Sequence, residues 1–442
     1  MRKIVLTTIG TLGDLHPFIA VALALKARGF RPVLAVPEDH VAKVKRAGLE
    51  AVAVLPGFDT IRERIGLSES EAVRRMMSDQ RYMLEQAVLP SLSACARTLD
   101  ALIADADAIV ASTMVLAAPI VAEKRGLPLV SVMLQPMAMV SALDPPKTPD
   151  FWMMRQRPAG KIGERWNLLM YAGFRQILHR LYADQLDVVR IEHGLRPRGA
   201  MRMLEAGREA LLTIGCYSPV FAPLPRDAPE NARVVGFPIF DSANGGSCAL
   251  DPALEAFLRA GPPPIVFTLG SFAVYAAGDF YREAAEVARR LGQRAILLTG
   301  ERETAATDSD VFACAYAPHS HLFHRCSVVV HHGGIGTTGQ ALRAGKPQLV
   351  VPHMGDQNDN GHRIARAGIG LVLRAKHFSA RRATIMIEDL LRDPSRREHA
   401  ARIGETIAQE NGAETASRAI EQALGQGQRV RAGRPEPKPI PA

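Results

Sequence analysis

HHGGIGTTGQALRAGKPQLVVPHMGDQNDN, residues 331–360, is the stretch that decides the fold. It follows SVVV, a β-branched run typical of a buried parallel strand. Gly333, Gly334 and Gly336 come next, and a helical pattern begins near Thr337. The first N–H groups of a helix have no partners within it, and its dipole favours negative charge, so a strand, a glycine turn and a helix start form an anion site. The stretch therefore predicts a phosphate-binding turn in an α/β domain.

A second polar loop follows in the same stretch. Gly345 and Pro347 end the helix, and QLVVP predicts the next strand. Asp356 and Gln357 then stand in a loop at the carboxyl end of that strand, where open α/β sheets bind ligands. We therefore expect both side chains in a ligand site.

Strands and helices alternate through both halves of the chain. KIVLTTIG, RPVLAVP, DAIVAS and PLVSVML predict strands in the first half, and PPIVFTLGS, RAILLTG and GLVLRA add strands to the second. Gly, Ser, Asn and Asp concentrate in residues 236–251, which predicts a linker. We predict an α/β protein of two doubly wound domains, residues 1–240 and 250–424, with a functional cleft between them and a disordered basic tail at 425–442.

Composition narrows the classes of protein. The 442 residues are 47% hydrophobic and 22% charged, which fits a soluble globular protein without a membrane span. Five cysteines at irregular spacing give no disulfide framework, so a cytoplasmic location is expected. The net charge of +9 is not accompanied by the basic–aromatic interleaving of nucleic-acid binders. Basic residues gather between 155 and 208 with Trp166 and Tyr171, either as a solvated helical face or as a peripheral contact with the inner face of the membrane.

Three further motifs occur in a fixed order before the first stretch: GTLGDLHPF (10–18), FTLGS (267–271) and AYAPHSHLF (315–323). Together the four motifs resemble those of family 1 glycosyltransferases, which have the GT-B fold of two facing Rossmann-like domains. GDLHPF, GFPIFD (236–241), AYAP and DQNDN are most similar to the rhamnolipid rhamnosyltransferase branch, within the bacterial and sterol-type group.

On the acceptor side, the resemblance implies that Asp14 is the general base that takes the proton of the acceptor hydroxyl. His16 is a rival base or a substrate-positioning group. Each residue also has a purely structural interpretation, Asp14 as a turn residue and His16 as the cap of a helix that begins at Pro17. Ser112 stands where plant members carry a supporting aspartate, which favours a lone aspartate base.

On the donor side, the resemblance implies that His332 stabilises the developing negative charge, while strand alternation sends one of His331 and His332 into the site and the other into packing. Tyr316 matches the aromatic residue that stacks on the base, with a core tyrosine as the alternative. Gln340 stands where plant members carry a glutamate that holds the ribose hydroxyls. Because glutamine can still bond a ribose hydroxyl, the resemblance allows either a uridine or a thymidine donor. The implied donor contacts are Gly13, Gly270, Ser271, Tyr316, Ala317, His319, His332, Gly333, Gly334, Gly336, Thr337, Gln340, Asp356 and Gln357.

The resemblance thus implies an inverting, metal-independent enzyme that transfers a hexose or deoxyhexose from a UDP- or dTDP-sugar to an apolar hydroxylated acceptor, such as a lipid hydroxy-acid. The nucleotide sugar is a co-substrate, and no cofactor is expected. The Cys and His residues of 314–326 match no familiar zinc spacing. Methionines within 132–154 form either an acceptor pocket or plain core. The alternatives are a transferase of small aromatic compounds such as flavonoids, a nucleotide-sugar epimerase and a non-catalytic activator of another transferase.

Overall fold

A computed structural model of the chain describes residues 1–158, 160–201, 203, 207–242, 249–300 and 309–432. Its first half forms a seven-stranded parallel sheet of order β3-β2-β1-β4-β5-β6-β7. The strands are β1 (Lys3–Thr7), β2 (Arg31–Pro37), β3 (Glu50–Leu55), β4 (Ala108–Ser112), β5 (Leu129–Met133), β6 (Leu212–Gly215) and β7 (Ala232–Val234).

The second half forms a six-stranded parallel sheet of order β10-β9-β8-β11-β12-β13. Its strands are β8 (Ile265–Thr268), β9 (Ala295–Leu298), β10 (Val311–Cys314), β11 (Val328–His331), β12 (Gln348–Val350) and β13 (Gly370–Val372). Both sheets are wound in two directions from a central strand, which confirms the prediction of an α/β protein with two doubly wound sheets.

Helices cover both sheets. In the first half they are α1 (Leu12–Ala27), α2 (Glu38–Arg46), α3 (Phe58–Ile65), α4 (Glu69–Ser78), α5 (Gln80–Met83), α6 (Leu92–Leu102), α7 (Ala117–Arg125) and α8 (Gly160–Glu192). In the second half they are α9 (Pro252–Arg259), α10 (Gly270–Ala273), α11 (Phe280–Leu291), α12 (His319–Leu322), α13 (Ile335–Arg343), α14 (Asp356–Arg366), α15 (Ala380–Arg392), α16 (Pro394–Ala408) and α17 (Gly412–Ala432). Among the described residues, no helix combines the length and the apolar character needed to cross a membrane.

The last helix returns to the first half of the molecule. Arg28, which follows α1, forms ion pairs with Glu414 and Glu421 of α17. Ile420 and Leu424 belong to the same apolar core as α1 and β1. Residues from Gly412 onward therefore pack with the first core, whereas the sequence assigns 412–424 to the second domain.

The predicted disordered tail also needs a correction. Helix α17 continues to Ala432, so residues 425–432 are helical, because they extend an amphipathic helix that is already docked. Residues 433–442 lie outside the described part of the chain.

Candidate active site

The loop after β1 leads into α1 through a capping box. The Thr11 hydroxyl accepts a hydrogen bond from the Gly13 N–H at 3.3 Å, and the Asp14 carboxylate accepts one from the Thr11 N–H at 2.8 Å. This reciprocal cap satisfies otherwise unpaired donors, so the helix begins at Leu12 rather than at Pro17, where the sequence predicts it. Asp14 therefore lies in the first turn of a helix, not in a free loop.

Asp14 is half-buried where the first half of the molecule faces the second. Burial raises the pKa of its carboxyl group, although the hydrogen bonds from Thr11 oppose that shift. A side chain at Gly10, whose φ is +116°, would collide with the Asp14 carboxylate, so glycine is required there for the carboxylate to hold its position.

The two adjacent histidines at the end of β11 have different environments, as strand alternation predicts. His331 is fully buried and hydrogen-bonded on both nitrogens, to Gln348 Oε1 at 2.9 Å and to the Gly333 N–H at 3.1 Å. His332 is partly accessible, and among the described residues its buried Nδ1 has no hydrogen-bond partner. Burial lowers the pKa of His332 well below its usual value, so the ring is neutral at physiological pH.

At each of the three glycines of the turn, a side chain would meet a different neighbour. Gly333 has φ +92°, and a Cβ there would lie 2.7 Å from Val350 Cγ1. A Cβ on Gly334 would collide with the His332 ring, and so would one on Gly270, 2.5 Å from His332 Cε1. Gly336 is exposed, and its neighbour across the gap is the other half of the molecule: a Cβ on Gly336 would lie 3.9 Å from Gly13 Cα.

The N-terminus of α13 carries no side-chain cap. Its N-cap residue is Gly334, which has no side chain to accept a hydrogen bond from the first turn. The first N–H groups are consequently available to an anion, as the sequence predicts. Because a Cβ on Gly336 would come within 3.9 Å of Gly13 Cα, this helix start and the Asp14 turn border the same space. Thr337 is buried, while Gln340 is partly accessible further along the helix.

A second acidic group lies near Asp14 at the start of α14. Burial, and to a smaller extent the negative charge of Asp14, raises the pKa of Asp356 to about 7. The amide of Asn360 donates to Asp356 Oδ2 at 2.8 Å and to the Gly333 carbonyl at 2.9 Å, which ties this carboxyl to the glycine turn. Gln357 accepts hydrogen bonds from the His353 and Met354 N–H groups at 2.8 and 3.1 Å, so its carbonyl oxygen holds its own loop.

A polar cluster joins the linker to both halves. The Tyr316 hydroxyl donates to Asp241 Oδ1 at 2.9 Å, and the Ser320 N–H donates to Asp241 Oδ2 at 2.5 Å. Burial opposes ionisation of Asp241, but His319 and these hydrogen bonds outweigh it and lower its pKa. Burial, followed by the charge of Lys43, lowers the pKa of His16 to about 3.

The site also contains residues that sequence reasoning missed. The sequence marks Asp241 only as part of a motif and a linker, and it assigns no role to Lys43. Lys43 is buried, and desolvation lowers its pKa to about 8 against the favourable charge of Asp241. The unusual composition of GFPIFD was the available signal for Asp241; nothing in the sequence marks Lys43.

Ion pairs connect the two halves beside α14. Arg363 donates from Nε to Asp359 Oδ2 and from Nη1 to Asp144 Oδ2, each at 2.7 Å. Asp359 Oδ1 also accepts the Lys147 N–H at 2.9 Å, and Arg366 reaches Asp144 at 3.3 Å. Asp144 and Lys147 belong to the first half, so this network fixes the helix of Asp356 against it.

The remaining predicted residues occupy varied positions. Ser271 is exposed at the start of α10, Ala317 is buried, and the ring of His319 lies 4.4 Å from that of Phe323. Met133 and Met139 pack in a small core cluster, so these two methionines match the alternative of plain core. Among the described residues, no group of His, Cys, Asp and Glu could hold a metal ion.

Solved structures share this architecture over nearly the whole chain. The glycotransferase of kitacinnamycin superposes with a TM-score of 0.68 at 19% identity, covering 96% of this chain and 99% of the other. The spinosyn rhamnosyltransferase complexed with thymidine diphosphate gives 0.64 at 19% identity, covering 95% and 100%. The fold is therefore GT-B.

Two family profiles match separate parts of the sequence. Residues 4–139 match the glycosyltransferase family 28 N-terminal domain, and residues 295–422 match the erythromycin biosynthesis protein CIII-like C-terminal domain. The chain is a GT-B glycosyltransferase.

Relatives of this glycosyltransferase act on different acceptors. It is 29% identical to O-mycaminosyltylonolide 6-deoxyallosyltransferase of Streptomyces fradiae, covering 95% of this chain and 97% of the relative. It is also 29% identical to vancomycin aglycone glucosyltransferase of Amycolatopsis orientalis, covering 84% and 85%. With sterol 3-beta-glucosyltransferase of Emericella nidulans it is 25% identical over 95% of this chain but only 30% of that protein. The comparisons support the glycosyltransferase assignment without singling out the rhamnolipid branch.

Proposed function

We propose that this glycosyltransferase moves a hexose or deoxyhexose from a UDP- or dTDP-sugar to a hydroxyl group of an apolar acceptor, with inversion and without a metal ion. The observation that carries the proposal is the approach of the start of α13 to the Asp14 turn: a Cβ on Gly336 would lie 3.9 Å from Gly13 Cα. It brings the Asp14 turn and the uncapped start of α13 to the same space. A base and an anion site that face each other are what a single displacement needs.

Each group has a defined part in the proposed reaction. Asp14 takes the proton from the acceptor hydroxyl, whose oxygen attacks the anomeric carbon as the bond to the diphosphate breaks. The electron pair of that bond leaves with the diphosphate, and the N–H groups of α13 together with the His332 ring stabilise the added charge. Because the acceptor attacks opposite the leaving group in one step, the anomeric configuration inverts.

Asp14 is a better candidate base than His16. An imidazole with a pKa of about 3 binds a proton weakly, whereas burial makes the Asp14 carboxylate more basic than usual. General base efficiency rises as the pKa of the base approaches the working pH. We therefore assign His16 to positioning. Asp14 must be ionised, so turnover should fall as the pH falls through its raised pKa.

For the donor, the proposal includes both UDP-sugars and dTDP-sugars. Tyr316 is held by Asp241 at the base loop, and Gln340 offers an amide for a ribose hydroxyl. Complexes of structurally similar transferases with thymidine diphosphate support a dTDP-sugar as the first donor to test. Asp356 and Asn360 are the candidates for contacts with sugar hydroxyls.

For the acceptor, we propose a hydroxylated aglycone of the polycyclic or macrocyclic natural-product class. The names of the relatives support this class, since they specify a tylonolide, the vancomycin aglycone and sterols. Lipid hydroxy-acids are the second candidate, favoured by the similarity of GFPIFD and DQNDN to the rhamnosyltransferase branch. Met133 and Met139 pack in the core, so these two methionines do not support an apolar acceptor pocket for a lipid.

The test is a panel of UDP- and dTDP-sugars with sterol, macrolide, flavonoid and hydroxy-acid acceptors, read by mass spectrometry. We expect nucleoside diphosphate release that depends on one acceptor class and a product with inverted anomeric configuration by NMR. An epimerase would interconvert donors without any acceptor, and an activator would release no nucleotide. Retention of configuration would contradict the proposed single displacement.

A further inference from the structure

Helix α8 has a long exposed face that carries basic and apolar side chains and no acidic ones. Counted from Lys161 to Arg180 this face extends roughly 30 Å. Its exposed residues fall within half of the helical circumference at 100° per residue. They are Lys161, Ile162, Arg165, Leu168, Leu169, Ala172, Gly173, Gln176, Ile177 and Arg180. The opposite side carries the buried Gly163, Asn167 and Tyr171. We call these ten exposed residues the α8 face.

The loop before the helix extends this surface. Trp152 is 76% exposed and Met153 46%, although both are large and apolar. The loop is rigidly attached, because the Trp166 ring N–H donates to the Met153 carbonyl at 2.9 Å. The Arg155 N–H also donates to Asn167 Oδ1 at 2.9 Å. Trp152 therefore lies in a loop that these hydrogen bonds attach to one end of the α8 face.

The exposed charged residues between 152 and 180 are all basic. Arg155, Arg157, Lys161, Arg165 and Arg180 are all exposed, and none forms an ion pair with another described residue. The only acidic residue between 152 and 180 is Glu164, which is half-buried. Such a surface is complementary to an anionic one that also accepts apolar side chains.

We propose that the α8 face and the Trp152 loop dock on an anionic phospholipid surface. The helix would lie in the plane of the interface, with Ile162, Leu169 and Trp152 at the acyl boundary and the basic side chains at the phosphate level. The exposed apolar residues make a lipid surface a better fit than a purely polar polyanion. Docking would be independent of glycosyl transfer, because the face contains none of the residues proposed for the reaction.

The test is flotation of the full-length protein with vesicles of phosphatidylcholine alone and of equal parts phosphatidylcholine and phosphatidylglycerol. We expect binding to the anionic vesicles only, and its loss in high salt. The pair K161Q and R165Q should weaken binding about 25-fold, because each basic residue near an anionic bilayer contributes about fivefold. Trp152→Ser should also weaken it several-fold without any change in charge.

A matched control lies on the same helix. Val188 and Ile191 are 54% and 60% exposed, but Asp184 and Glu192 are exposed beside them. Val188→Ser and Ile191→Ser should leave vesicle binding unchanged. No binding to anionic vesicles, or equal losses in the control pair, would overturn the proposal. A concentration-dependent dimer that Leu169→Ser abolishes would instead assign the face to a second copy of the chain.

Discussion

At the scale of single residues, two neighbouring histidines of the site differ in whether their ring nitrogens are already hydrogen-bonded within the protein. His331 uses both of its nitrogens within the protein, whereas His332 next to it keeps a buried nitrogen without a partner among the described residues. The sequence could predict this split because strand alternation must separate neighbours. It could not predict the hydrogen bond of Tyr316 to Asp241, since the two residues are 75 positions apart and their pairing depends on how the linker folds.

Ionisation of the buried Asp356 carboxyl group is expected to lower the free energy of unfolding, although the residue is a candidate contact in the active site. Its pKa of about 7 lies above the ordinary 3.8, so the folded protein keeps a proton that the unfolded chain loses between about pH 4 and pH 7. The contribution of this group to stability therefore falls as the pH rises through that window. Asp356→Asn, which cannot ionise, should gain about 2–3 kcal/mol relative to the unmodified protein between pH 5 and pH 8.

Denaturant unfolding of both proteins at the two pH values measures this difference. The Asn side chain can still accept the hydrogen bond from Asn360, so the comparison isolates the charge. A free-energy difference between the two proteins that does not change with pH would show that Asp356 titrates normally. The variant should also lose activity, as residues at functional sites often trade stability for function.

At the scale of secondary-structure elements, the strands could be predicted better than the helix ends. Every predicted strand is present, because buried parallel strands require continuous apolar runs. The start of α1 was wrong by five residues, since the cap of Thr11 and Asp14 outweighed the signal of Pro17. Helix α17 extends past residue 424, where the sequence predicts the start of a disordered tail, because docking on α1 stabilises a polar helix.

The network of Arg363 gives a prediction for α14. Arg363 and Asp359 are 3% and 2% exposed, so Arg363→Met would leave a buried carboxylate without its partner. We expect a loss of about 3–5 kcal/mol in the free energy of unfolding. Arg366→Gln is the matched control: Arg366 contacts the same Asp144 but is 26% exposed, and its loss should cost less than about 1 kcal/mol. Equal effects in chemical denaturation would show that the buried Arg363 contributes no more to stability than the more exposed Arg366.

At the scale of the whole molecule, two sheets face each other and the chain crosses between them twice. The first crossing passes Asp241, and the second follows α16 and leads into α17. The Ser218 hydroxyl donates to Glu410 Oε1 at 2.7 Å where the second crossing begins. The arrangement of two halves was predictable from the alternation of strands, but the contacts across the cleft were not, because they join residues that are distant in sequence.

Helix α17 should stabilise the first half although it comes last in the chain. Ile420 is fully buried in the core that contains β1. Ile420→Ala should lower the free energy of unfolding by about 2–4 kcal/mol. Ile385→Ala, on α15 and 62% exposed, is the control and should change it by less than about 0.5 kcal/mol. If Ile420→Ala behaves like the control in denaturant unfolding, α17 does not belong to the first core.

The central claim is that Asp14, from the first half, takes the proton of the acceptor hydroxyl that attacks a sugar held by the second half. The most direct measurement compares turnover and nucleoside diphosphate affinity in Asp14→Asn, with His16→Ala alongside. The Asn oxygen can still accept the Thr11 N–H, so the cap and the fold should persist. We predict that turnover falls by about 10²–10⁴-fold while the dissociation constant from calorimetry stays within about twofold. Turnover near that of the unmodified enzyme, or a larger loss in His16→Ala, would contradict the account.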